Sequence, residues 1–127
     1  EIKDKNVVKK MRTKSRAKGD LQGARYGWVD AVMIRQEIMV NGVNSLALSR
    51  LDDLDDLDEI FVCVHYIMDD KDLDYRPAIS RDLARVKPHY VKFKGWKKSI
   101  AKVKKFSELP EEAREEADVS AALSQRR

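Results

Sequence analysis

The stretch most able to do chemistry is Leu48-Ser49-Arg50-Leu51-Asp52, in which a long cation is followed two residues later by a carboxylate. A carboxylate can accept both N–H groups on the edge of a guanine, while the stem and guanidinium of an arginine lie against the ring face. Adenine offers no such pair of donors, so Asp52 would choose the base and Arg50 would hold it. A plainer use also fits the spacing: a strand end followed by a helix cap, with Asp52 or Asp53 satisfying backbone N–H groups.

Other candidate constellations read as structure. Asp53, Asp55, Asp56, Asp58 and Glu59 are dense in carboxylates, but Leu54 and Leu57 interrupt the alternation an EF-hand loop needs and no glycine supplies its turn. Leu51, Leu54 and Leu57 recur every third residue, which fits a short helical turn with an apolar stripe below a solvated acidic face. His65 lies in an apolar run and His89 follows Pro88, with no second ligand at metal spacing. No nucleophile elbow and no glycine-rich phosphate loop occurs in these residues. Trp28 and Trp96 each follow a glycine, as core aromatics after tight turns do.

The elements that must position Arg50 and Asp52 begin at Asp30. Asp30 caps a helix over Ala31 to Val40, Val29 and Ile34 sit at staple spacing, and Asn41-Gly42 stops it. Ser45 to Ser49 reads as a short strand that delivers Arg50 at its carboxyl end, where ligands bind in open α/β sheets. Glu59 to Met68 reads as a longer strand. Ile60 to Val64 is apolar without alternation, so both of its faces should be covered. Asp69 to Asp72 signals a turn, with Leu73 to Pro77 returning antiparallel. Ser80 caps a short helix through Val86, Pro88 ends it, and His89 to Phe93 alternates like an edge or half-exposed strand. Lys94 to Lys105 is basic and irregular, and Ser107-Glu108-Leu109-Pro110 opens a last helix that reaches about Ser124. The pattern predicts an α/β fold, a mixed and mostly parallel sheet with flanking helices.

At 127 residues the chain fits one domain, able to bury roughly two thirds of the surface its unfolded form exposes. The net charge of +4 conceals sorted blocks, because 38% of the residues are charged. Glu1 to Arg25 carries nine basic against three acidic residues, Leu51 to Asp74 ten acidic against Lys71, and Arg81 to Lys105 ten basic against Asp82. Such blocks make local fields rather than a fold. Residues 1–25 show no helical or strand period and read as a basic loop or poorly ordered segment, leaving 26–127 as the folded portion. A single cysteine, Cys63, points to a reducing compartment and a buried, inert thiol. No apolar run approaches the roughly 18 residues of a membrane span, so a cytoplasmic protein is expected. The opening in charged text without an initiator Met reads as part of a longer chain.

From about Tyr26 to Glu112 the chain resembles adenylosuccinate synthetase. Gly27-Trp28-Val29-Asp30 is similar to that family's Gly-Trp-[Phe/Leu]-Asp, Asn41-Gly42 ends the same helix, and Leu48-Ser49-Arg50-Leu51-Asp52 is similar to its Leu-Thr-Lys-Leu-Asp. Leu57-Asp58-Glu59-Ile60, the strand Val62 to Tyr66, Gly95-Trp96-Lys97 and Phe106 to Pro110 follow in family order. The resemblance implies part of a P-loop-NTPase-like ligase fold. It implies ligase chemistry of purine biosynthesis, in which GTP phosphorylates IMP, L-aspartate displaces the phosphate, and Mg2+ organises the phosphates, in a homodimer. It also assigns guanine binding to Arg50, Leu51 and Asp52. Of the family's arginine-rich aspartate and IMP loop only Arg25 survives, since Gly19 to Ala24 replace its other members. The Gly-rich phosphate loop, the catalytic Asp and His, the metal site and the closing Gly-Pro-[Asp/Glu]-Arg segment have no counterpart in these residues, so the chain alone is expected not to turn over. A rival expectation is a basic module for nucleic acid or a structural partner, using the amino-terminal segment and the Arg81 to Lys105 zone, where Tyr90, Phe93 and Trp96 interleave with lysines.

Overall fold

A computed structural model describes residues 2–17 and 25–125. The first element is a helix, α1 (Lys5–Ala17), which corrects the expectation of a loop across residues 1–25. Asp4 supplies the reason at its start: its carboxylate accepts from the Asn6 and Val7 amides at 2.8 and 3.3 Å. Lys5, Lys9 and Lys10 are exposed while Val7 packs on the core, an apolar stripe too sparse to register as a period. Gly19 to Ala24 of the loop compared above lie outside the described residues.

Strand β1 (Val29–Asp30) leads directly into α2 (Ala31–Asn41). Asp30 is the cap as expected, its side chain accepting from Met33 N at 3.1 Å, and Gly42 takes the left-handed conformation at φ 61° that ends the helix. Strand β2 (Glu59–Met68) is the centre of a four-stranded sheet. It pairs parallel with β1, and antiparallel with β3 (Lys71–Leu73) and β4 (Lys87–Lys94). β4 runs along nearly all of β2, so β1 and β3 must share the opposite edge end to end. The sheet is mixed, and among the described pairings the parallel one is β1 with β2. A short helix α3 (Ser80–Leu83) precedes β4, and α4 (Glu111–Gln125) closes the described chain, packing against α2.

The unbroken apolar run of β2 does cover both faces. Ile60 and Val62 join Leu57, Phe93, Trp96, Ile100, Ala31 and Ala113 in one cluster, while Cys63 joins Val32 and Tyr66 in a second. Full burial of each of these large side chains contributes about 1.5–3 kcal/mol. A bulge between Cys63 and His65 breaks the alternation. It sets Tyr66 beside Cys63 on the second cluster, where its hydroxyl donates to Asp30 at 2.5 Å, and it lets His65 stack on His89 with ring centroids 4.3 Å apart.

Three expectations shift in detail. The turn after β2 is Asp69-Asp70 alone, both at positive φ, so the return strand begins at Lys71 and not at Leu73. Ile79, not Ser80, caps α3, which ends at Leu83. Ser45 to Ser49 is not a strand: residues 43–50 are exposed coil. Leu46 and Leu48 give that segment its alternation, but it pairs with none of the described strands, and an extended segment without a ladder is not a strand.

Candidate functional site

Arg50, Leu51 and Asp52 therefore sit at the start of a 3-10 turn rather than at a strand end. The turn spans Leu51–Leu54, and its spacing explains the leucines: at three residues per turn, positions 51, 54 and 57 line one side. Leu57 is fully buried, and Leu51 and Leu54 pack partly buried against the same cluster.

The acidic residues between the leucines are not one solvated face. Asp56, Asp58 and Glu59 are exposed, but Asp53 and Asp55 are buried. Asp55 accepts from Trp96 Nε1 at 2.8 Å and from the Ile100 amide at 3.4 Å, which ties the turn to the segment after β4. That segment is clamped a second way. Gly95 N donates to Asp58 O at 2.9 Å, and a β-carbon on Gly95 would collide with the Leu57 carbonyl, so only glycine lets the two backbones approach. At the surface, the Lys97 ammonium bonds Asp58 and holds its carboxyl below the ordinary range.

Arg50 occupies the left-handed region at φ 64°, ψ 26°, an unusual place for a residue with a β-carbon. Its Nε donates to Asp53 Oδ2 at 2.8 Å, while the Asp53 amide donates to the Arg50 carbonyl at 3.0 Å. Asp52 is half-buried, next to this clip. The structure thus gathers Arg50, Leu51 and Asp52 on one braced turn. Arg25 is exposed in the coil before β1 and does not belong to that turn. Sequence reasoning missed Asp53 as the partner of Arg50 and Asp55 as the partner of Trp96. The one available signal was Trp96 itself, whose N–H needs an acceptor once buried.

The remaining candidates are structural. Cys63 is buried, and burial, followed by the nearby Asp30 charge, pushes its thiol up to about 12. Burial and the bond to Asp30 push the Tyr66 phenol up, and burial does the same to Tyr90. Lys92 and Lys97 of the basic zone pair with Glu59 and Asp58, which neutralises part of the surface that a nucleic acid would need. Among the described residues no three His, Cys, Asp or Glu side chains could hold a metal ion, and no helix is long and apolar enough to cross a membrane.

A mixed sheet flanked by helices, with a braced acid-and-guanidinium turn beside it, is part of an α/β fold of the P-loop-NTPase-like ligase class. Residues 1–121 match the family described as adenylosuccinate synthetase, and the chain belongs to that family. It is 48% identical over 89 residues to adenylosuccinate synthetase of Prochlorococcus marinus (strain MIT 9515), covering 70% of this chain and 20% of that protein. For adenylosuccinate synthetase of Aquifex aeolicus (strain VF5) the identity is 46% over 89 residues, covering 70% and 21%. The fully ligated adenylosuccinate synthetase structure from Plasmodium falciparum superposes with a TM-score of 0.87 at 26% identity, over 98% of this chain and 30% of that one. The chain spans about a fifth of the length of the curated relatives it matches.

Proposed function

We propose that this chain is the guanine-binding side of a GTP-dependent ligase that joins IMP to L-aspartate in AMP biosynthesis, a cytoplasmic homodimer when whole. The observation that carries the reading is the braced turn: Asp52 is held half-exposed one residue from a buried anchor, beside a guanidinium with a fixed Nε. Asp52 accepts the ring N–H and the exocyclic amino group of guanine, and Arg50 covers the ring face with Leu51 below. Two charge-assisted bonds contribute about 1.5–3 kcal/mol each before desolvation, enough for a preference over adenine on the order of tenfold or more. Arginine in place of the family's lysine keeps the charge and adds a planar stacking surface. Arg25 is the part of the aspartate and IMP loop that persists.

Magnesium enters such a reaction with the triphosphate. The described residues do not form a site for it, so no step here runs through a metal held by this stretch. These residues include no glycine-rich phosphate loop either, and the isolated chain should not turn over.

Titration of the 127-residue chain with GMP, IMP and AMP tests the base reading. GMP should bind most tightly, IMP more weakly because it lacks the amino group, and Asp52→Ala should erase the order. Equal affinity for GMP and AMP, unaltered in Asp52→Ala, would refute it. Adenylosuccinate formed from GTP, IMP, aspartate and magnesium above a protein-free control would refute the inactivity of the isolated chain.

A further inference from the structure

Arg50 is held in a way that guanine binding alone does not require. A left-handed arginine costs about 1–2 kcal/mol relative to an ordinary backbone, and glycine or asparagine would fill the same position at lower cost. Strain of this kind persists where surrounding contacts over-determine it. Among the described residues Asp53 supplies such contacts. Its amide donates to the Arg50 carbonyl at 3.0 Å and its carboxylate accepts from Arg50 Nε at 2.8 Å, so main chain and side chain are clipped to the same neighbour. The Asp53 side chain is 8% exposed and that of Arg50 is 41% exposed, so the acid is the fixed member and the cation the accessible one.

We infer that Asp53 is a positioning residue for base recognition: it fixes the guanidinium plane of Arg50 through Nε, so that its face meets the purine whose edge Asp52 grips. The inference rests on the guanine reading above. The choice of nitrogen is what matters. A bond at Nε restrains rotation about the end of the side chain and so fixes the guanidinium plane. Lysine has no donor at that point of its stem. Its only charged group would have to fold back to reach Asp53, and nothing planar would then be presented. Arg50 and Asp53 therefore act as a unit, and neither does its work beside a substituted partner.

The test is a double-mutant cycle on the 127-residue chain, with GMP affinity as one readout and the exchange rate of the Arg50 Nε proton by NMR as the other. Asp53→Asn should weaken GMP about tenfold and speed exchange of the Nε proton, the loss of one charge-assisted bond's aim. In an Arg50→Lys background, already weakened, Asp53→Asn should change affinity less than about twofold, because no Nε remains to be held. A melt of each variant separates aim from folding: wild-type GMP affinity in Asp53→Glu, with a melting temperature as low as that of Asp53→Asn, would support positioning. Equal losses from Asp53→Asn in the wild-type and Arg50→Lys backgrounds, or wild-type affinity in Asp53→Asn, would overturn the inference. If Asp52→Ala destroys the preference for GMP while Asp53→Asn leaves it intact, only the positioning role falls. If wild-type chain shows no preference for GMP over AMP, the guanine reading falls and takes this inference with it.

Discussion

Replacing Asp55 by Ala should destabilise the fold by about 1–4 kcal/mol, and the magnitude follows from two donors among the described residues. Trp96 is 4% exposed and Asp55 6%, so the indole N–H that bonds Asp55 at 2.8 Å has no water to turn to when the carboxylate is removed. An orphaned buried donor costs about 1–3 kcal/mol. The Ile100 amide, at 3.4 Å, makes a longer and weaker bond and adds about 1 kcal/mol at most. Against a stability of about 5–15 kcal/mol for a domain, the loss is a large fraction of the whole. Asp55→Asn should cost less, about 1–2 kcal/mol, because its oxygen still serves Trp96 while its amide faces the Ile100 N–H donor to donor. Trp96→Phe removes the indole donor, so Asp55→Ala should cost distinctly less in that background. Urea unfolding followed by far-ultraviolet circular dichroism measures all four members of the cycle. A coupling below about 0.5 kcal/mol, the level at which independent sites simply add, would refute the claim that Asp55 acts through Trp96.

Two further outcomes follow from packing and titration. Gly95→Ala must push the β-carbon away from the Leu57 carbonyl, and overpacking of this sort costs about 1–3 kcal/mol, so the Tm should fall by about 4 °C or more; an unchanged Tm would show that the 57–58 backbone yields freely. The Cys63 thiol, raised from 9.0 to about 12, loses its proton later in the fold than in the unfolded chain. Stability is therefore fully present below about pH 9 and declines as the pH rises towards 12, where the unfolded state has already released its proton. Urea melts between about pH 8 and pH 11 should show that slope, shallower in Cys63→Ala and not abolished, since the raised Tyr66 and Tyr90 phenols contribute in the same direction. An identical slope in Cys63→Ala would remove the thiol from the account.

How much of this was legible in the residues depended on whether the cause was local. The Asp30 cap, the Gly42 stop, the whole of β2 and the opening of α4 after Pro110 are dictated by neighbours within a few positions, and all are present. The three-residue recurrence of Leu51, Leu54 and Leu57 announced a helical turn, and the structure makes it a 3-10 one. What failed was tertiary. Leu46 and Leu48 carry a strand's alternation, but a strand exists only beside another, and the segment itself does not say whether it will have such a neighbour. The α1 helix was not legible because its few apolar residues, Val7 among them, sit among many lysines. Asp53 and Asp55 looked like surface charge because acids usually are; their burial depends on Arg50 at three residues' distance and on Trp96 more than forty residues away. The Arg50-Leu51-Asp52 motif was visible in the residues as a candidate, whereas the left-handed backbone of Arg50 and its bond to Asp53 were not.

On the proposed guanine reading, the same contacts make base selection a property of the core. A four-residue 3-10 turn has too few internal bonds to hold a side chain in place, and recognition of a purine edge tolerates errors of only about 0.5 Å. The rigidity of this turn must come from outside it: from Leu57 beneath, from Asp55 on Trp96, and from the backbone approach that Gly95 permits. These three ties converge on residues 55–58, immediately after the turn, and so act on Asp52 through the chain between. Loosening any one should therefore blur the aim of Asp52 while β2 and β4 stay paired, because local opening requires less free energy than unfolding the sheet. Selectivity between purines would then decline before the fold does, and the acid that reads the base would be only as accurate as the tryptophan that anchors its neighbour.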